Sequence, residues 1–258
     1  MIRSRRNEGA PIASLIARAR KLVGILAVPA WRYALQRYRV AAGIEHAAVL
    51  RHLGGLRMVV DIGANRGQFA LVARHFFPDA HIVSFEPLAG PAAVYRMVFA
   101  EDPRTTLHET AIGPEPGEKV IHLSARDDSS SLLPISATQN SLFPGTAEIG
   151  TQPIRVMRLT DQVSEAGIER PALLKLDVQG FELEALAGCE DLLDRFDWVY
   201  AECSFMELYA GQAFADSVIA WLRERGFALR GAYNMSYDAQ GRAVQADFLF
   251  GQKSRRSD

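Results

Sequence analysis

Cysteine is almost missing from this 258-residue chain, which has only Cys189 and Cys203. Two such residues, on stretches that read as helix and strand, support neither a disulfide framework nor a zinc or redox motif. A reducing cytoplasm is therefore the expected compartment. No run reaches the roughly 18 consecutive apolar residues of a spanning helix. The N-terminal apolar stretch is interrupted by Arg18, Arg20 and Lys21, which argues against a secretory signal. An overall charge excess is lacking too, at a formal net charge of −1, so no global field draws the molecule onto nucleic acid.

What is present is unevenly distributed. Residues 1–57 hold eleven Lys or Arg against two acids, Glu8 and Glu45. Within them Ile12, Leu15, Ile16, Ala19, Leu22, Val23 and Leu26 recur at three- and four-residue steps, the pattern of a basic amphipathic helix. Such a helix either packs on its own domain or a partner subunit, or lies on an anionic membrane surface. From residue 58 to 252, apolar runs alternate with helical patterns, as in "RMVVDIG", "QFALVARHFFP" and "HIVSFEP". That alternation predicts an α/β domain with a mainly parallel sheet covered on both faces, and ligands bind beyond the carboxyl ends of such strands. Residues 253–258 read as a tail. Between 119 and 158 the rhythm breaks. "KVIHL" and "IRVMRL" are expected to pair as an added hairpin, and the long segment between them suits a lid.

The chemistry concentrates in "VVDIGANRGQF". Gly63 and Gly67 permit a tight turn and close backbone approach, and the amides opening the next helix favour a negative group. A nicotinamide fingerprint runs G-x-G-x-x-G; here the order is D-x-G-x-N-x-G, with Asp61 at the strand end. An acid there suits a ligand carrying an ammonium group. Glu86 ends the next apolar run, 25 residues later, where a carboxylate can accept hydrogen bonds from both hydroxyls of a ribose. A ribose, an amine and a carboxylate together describe S-adenosylmethionine. Of the histidines, His75, His81, His108 and His122 lack ligand spacing and read as structural.

These segments, with "TAIG", "RLTD", "LLKLDVQGFELEALAG" and "AEC", resemble the successive motifs of FkbM-type methyltransferases over about residues 58 to 250. The K-x-D-x-x-G-x-E element is the most specific of them. The resemblance implies a Rossmann-like class I methyltransferase fold, seven strands in the order 3-2-1-4-5-7-6 with the last antiparallel. It also implies methyl transfer to a hydroxyl of a sugar, glycolipid or secondary metabolite. By position, Asp61, Gly63, Ala64, Asn65 and Gly67 would line the methionine end. Glu86 with Pro87 would hold the ribose, and the loop from Glu109 to Ala111 the adenine. Asp177 would face the transferred methyl as base, with Lys175 or Glu182 in support. Lys175 has an alternative as a structural ion pair with Asp177 or Glu202, and Glu182 as a helix-start residue. Asp177, Glu182 and Glu202 could instead gather a magnesium-like ion, the less favoured option. The Asp/Asn-Pro-Pro-aromatic element of amino methyltransferases is replaced by "DVQGFE", which disfavours nucleic-acid or protein substrates. A non-catalytic donor-binding module remains the third alternative.

Overall fold

The computed structural model describes residues 10–253. The first nine residues, the rest of the expected tail and the side chains of Ile12, Leu15 and Ile16 lie outside the described residues. In chain order the elements are α1 (Ala10–Ala27), α2 (Pro29–Tyr38), α3 (Ala47–Leu50), β1 (Met58–Ile62), α4 (Gln68–Phe76), β2 (His81–Phe85), α5 (Ala89–Val98), β3 (Thr105–His108), β4 (Ala111–Ile112), β5 (Gly117–Ser124), α6 (Ala137–Leu142), β6 (Glu148–Met157), β7 (Ala172–Leu176), α7 (Glu182–Gly188), β8 (Trp198–Ser204), α8 (Ala215–Glu224), β9 (Phe227–Tyr237) and β10 (Ala243–Gln252). β1 and β7 are buried along their whole length, as strands covered on both faces must be. Pro29 starts α2, where its fixed φ suits the first turn and its missing N–H is not needed.

Seven strands form one sheet in the order β3-β2-β1-β7-β8-β10-β9. Counted within that sheet the order is 3-2-1-4-5-7-6, and β10 runs antiparallel to both neighbours while β3, β2, β1, β7 and β8 are parallel. This is the fold implied by the resemblance. The expected hairpin is also present: β5 and β6 pair antiparallel, and β4 adds to β6 as a third strand of a separate small sheet.

The run "TTLHETAIG" divides into β3 and β4 at Glu109 and Thr110, where the Thr110 hydroxyl donates to the Arg155 carbonyl at 2.9 Å and turns β4 onto the small sheet. Across "FELEALAGCEDLLDRF" the helix α7 stops at Gly188, which lies so close to the backbone of Gly113 that a Cβ would sit 2.6 Å away; residues Glu190–Arg195 continue as a tighter 3₁₀ turn. On α1, Leu22, Val23 and Leu26 of the apolar stripe are exposed, while Ile25 is buried against the domain.

The core lies on both sides of the sheet. On one side Val60, Ile62, Leu174, Leu176, Val199 and Ala201 meet α7 and α8 through Ala185, Leu186, Val218 and Leu222. On the other, Val59, Leu173 and Tyr200 meet Phe69 and Val72 of α4 together with Ile25, Trp31, Ala34, Val49 and Leu50 of the N-terminal segment. Side chains alternate along a strand, so Asp61, Lys175, Tyr200, Glu202 and Asp247 fall on this second side. They are in register across the sheet, Asp61 beside Lys175, Lys175 beside Tyr200 and Glu202 beside Asp247. A polar row is thereby buried beneath the N-terminal helices.

Candidate active site

A cavity of about 500 Å³ opens at the carboxyl ends of β1, β2, β7 and β8. Its floor begins with the turn after β1. Gly63 has φ +80, and a Cβ there would lie 1.9 Å from the Asp177 carbonyl oxygen, so only glycine lets the loops after β1 and β7 touch. Asn65, with φ +47, also sits in the left-handed region, a strained choice that clusters at ligand sites. Gly67 starts α4 at φ +91 beneath Phe99 and Tyr95; it is not on the cavity wall, whereas Gly63, Ala64 and Asn65 are.

Glu86 stands at the tip of β2 on the same wall. Its Oε2 accepts the Asn65 amide at 2.9 Å and its Oε1 the Leu88 amide at 2.8 Å. Each carboxylate oxygen can accept a second bond, so two adjacent acceptor positions remain for a vicinal diol. Burial pushes the Glu86 carboxyl up to about 7, against the two amides. Pro87 follows on the wall, and Leu88, Ala111, Ile112, Ile121 and Ile154 supply an apolar surface suited to a flat base. Glu109 does not join them. It is exposed and paired with Arg96, so of the expected adenine loop only Ala111 faces the cavity.

Asp61 is fully buried and does not reach the wall. Lys175 does, and its Nζ lies 3.1 Å from Asp61, 3.7 Å from Asp177 and 5.3 Å from the Phe69 ring centroid. Burial alone would lower the lysine, but the two carboxylates outweigh it and raise the ammonium above its ordinary range. Lys175 is thus a charged pairing residue, and its partners are Asp61 and Asp177 rather than Glu202.

Asp177 lines the cavity with its side chain 33% exposed, and Gln179 Nε2 donates to its Oδ1 at 2.7 Å. Gln179, at φ +56, also donates to Glu202 at 3.1 Å and accepts from the Tyr209 hydroxyl at 2.6 Å. Glu202, on the wall, accepts from Gln245 at 2.7 Å, and burial with the neighbouring Asp177 raises its carboxyl well above the usual range. Glu182 turns away from the cavity: it accepts the amides of Val178 at 3.1 Å and Gly180 at 3.2 Å, and burial pushes it up to about 7. Its role is to hold the loop that presents Asp177. Among the described residues no three His, Cys, Asp or Glu side chains gather as a metal site, and Glu182 turns away from Asp177 and Glu202, so the alternative of a magnesium-like ion on these three acids gains no support.

The stretch 119–158 closes over this floor. Asp127 pairs with Arg66, its carbonyl accepts from Asn65 at 3.0 Å, and Ser131 donates to the Gln179 carbonyl at 2.7 Å, so one segment joins the loops after β1 and β7.

The domain model described as the methyltransferase FkbM domain matches residues 61–229. The chain belongs to the FkbM methyltransferase family. It is an S-adenosylmethionine-dependent methyltransferase, and the glycine cradle, the free acceptor positions of Glu86 and the apolar wall fit that donor. Among its relatives, the 2-O-methyltransferase NoeI of Sinorhizobium fredii is 32% identical over 161 residues, spanning 60% of this chain and 66% of the relative. The 31-O-demethyl-FK506 methyltransferase FkbM of Streptomyces tacrolimicus is 30% identical over 209 residues, 70% and 77% of the two chains. A Klebsiella pneumoniae crystal structure of a protein proposed to be an O-methyltransferase shares the fold at a TM-score of 0.50 and 14% identity, covering 92% of this chain and 97% of that one.

Part of this FkbM-family site was invisible in the motifs. Lys21, Gly43, Glu45 and His46 line the cavity from the N-terminal segment, before the matched region. His46 Nδ1 lies 3.1 Å from the Tyr200 hydroxyl and 3.5 Å from Asp247, while Asn234 donates to Asp247 at 2.6 Å. No local signal marks His46, because its polar partners come from β8 and β10.

Proposed function

We propose that this enzyme transfers the methyl group of S-adenosylmethionine to an alcohol hydroxyl of a sugar or related secondary metabolite. The observation that carries the donor assignment is Glu86, whose oxygens are aligned by two backbone amides beside a glycine turn and keep two acceptor positions toward the cavity. When bound, S-adenosylmethionine supplies an electrophilic methyl group. Asp177 holds the acceptor hydroxyl and takes its proton; it is partly exposed on the wall and fixed by Gln179. Lys175 stays protonated and keeps Asp177 in place, which removes it from the base role. Alignment of the hydroxyl in a space shared with the donor provides much of the acceleration. Transfer to oxygen, rather than nitrogen or carbon, is supported by the two named O-methylating relatives.

Isothermal calorimetry tests the assignment. The chain binds S-adenosylmethionine, and Glu86→Ala weakens binding by roughly tenfold or more, the loss expected for charge-assisted hydrogen bonds. Asp177→Asn leaves donor binding intact and abolishes methyl transfer. Unchanged affinity in the first variant, or retained turnover in the second, removes the respective role.

We also propose that α1 rests on an anionic membrane surface while the catalytic domain stays in the cytoplasm. Its exposed Leu22, Val23 and Leu26 lie beside exposed Arg20 and Lys21, which supports surface contact. No helix among the described residues is long and apolar enough to cross a membrane.

A further inference from the structure

Helix α6 is tied over the acceptor half of the cavity. The Ser136 amide donates to the Leu208 carbonyl at 3.0 Å, Ile135 bridges Tyr209, and Tyr209 in turn donates to Gln179 at 2.6 Å, next to Asp177. Gln139 and Phe143, one helical turn apart, both line the cavity. Gln139 is only 3% exposed, and its Oε1 is buried without a hydrogen-bond partner among the described residues. Buried amide oxygens are nearly always paired, so this one awaits a donor from a ligand.

The facing wall narrows what that ligand is. Gln179, Gln245, Glu202 and Asp177 offer amide and carboxyl groups. Each lysine and arginine of the wall already faces a carboxylate: Lys21 meets Glu45 at 2.8 Å, Arg126 meets Asp128 at 2.8 Å, and Lys175 meets Asp61 at 3.1 Å. A phosphorylated acceptor would find no lysine or arginine there without a partner. An apolar acceptor would leave the Gln139 oxygen unpaired. A neutral polyhydroxylated ring satisfies both conditions, giving hydroxyl donors to Gln139 and the carboxyl groups and a C–H face to the Phe143 ring.

We propose that Gln139 and Phe143 of the lid form the acceptor subsite, and that it takes a neutral pyranose-like ring. This rests on the methyl-transfer reading above. The test uses the full chain saturated with S-adenosylhomocysteine, whose own affinity is measured first by calorimetry. Methyl glucopyranoside, methyl mannopyranoside and methyl rhamnopyranoside are then titrated by saturation-transfer NMR beside glucose 6-phosphate and cyclohexanol. At least one pyranoside is expected to bind at least tenfold more tightly than the phosphate or the cyclohexanol. Gln139→Ala and the near-isosteric Gln139→Met are each expected to lose that binding tenfold or more, with S-adenosylhomocysteine affinity unchanged, which also shows that they fold. Pyranosides that fail to bind the loaded protein, or that bind both variants as they bind the parent, overturn the subsite and leave the donor reading standing. Failure of the parent to bind S-adenosylhomocysteine overturns the donor reading itself.

Discussion

At Glu86 the same burial that prepares the site also makes it responsive to pH. With its carboxyl raised to about 7, the group is largely protonated at pH 6 and ionised at pH 8. A ribose diol donates hydrogen bonds, so it binds the ionised form better, and binding expels the proton. Affinity for S-adenosylmethionine therefore rises as pH rises through the folded pKa, by roughly tenfold between pH 6 and 8 if the bound pKa falls well below that range. Calorimetry at the two pH values in buffers of different ionisation enthalpy checks both the trend and the proton release; Glu86→Gln should flatten it. Lys175 responds differently. Lys175→Met leaves Asp61, at 0% exposure, as an unpaired buried acid, and is expected to cost about 3–5 kcal/mol in urea unfolding. Adding Asp61→Leu should recover much of that loss, since removing both charges also removes the desolvation penalty. A double variant no more stable than the single one would refute the pairing account.

Among elements, the N-terminal helices matter most. Trp31 of α2 is 3% exposed, donates to the Leu71 carbonyl of α4 at 3.0 Å and meets the His75 ring edge-on at 4.9 Å. It pins the N-terminal segment to the helix that follows the glycine turn. Trp31→Ala is expected to cost about 3–5 kcal/mol, which for a chain of this size is a melting-point drop on the order of 10 °C by calorimetry. A fall of only a degree or two would mean that the segment is loosely held. The periodicity of α1 announced a helix but left open what its stripe would meet; Ile25 is buried toward the α4 side while Leu22, Val23 and Leu26 face out. β5 and β6 were legible as a hairpin because "KVIHL" and "IRVMRL" are short apolar-rich runs flanking one long polar segment, whereas α6 is a six-residue helix within polar sequence and gave no periodic signal.

For the molecule as a whole, the near-zero net charge conceals a basic N-terminal segment set against a more acidic catalytic domain. If α1 serves as a surface contact, flotation with vesicles containing anionic lipid carries the full chain upward and leaves a chain lacking residues 1–28 behind. Equal behaviour of the two, or no dependence on anionic lipid, removes the membrane proposal. The mainly parallel α/β class, the glycine turn and the two acids at successive strand ends could be read from the sequence, because alternation of short apolar runs with helical patterns, and the turn chemistry between them, are local properties. The resemblance added the strand order, the family and its K-x-D-x-x-G-x-E element. Contacts between distant segments were another matter. Only the tertiary structure decided that Asp61 sits behind Lys175 instead of on the wall, that Glu182 holds a loop, that Glu109 faces solvent, and that Gln139 and His46 reach the cavity from segments with no motif of their own. Each of those outcomes depends on which face of a strand or helix another part of the chain covers, and no spacing along the sequence encodes that.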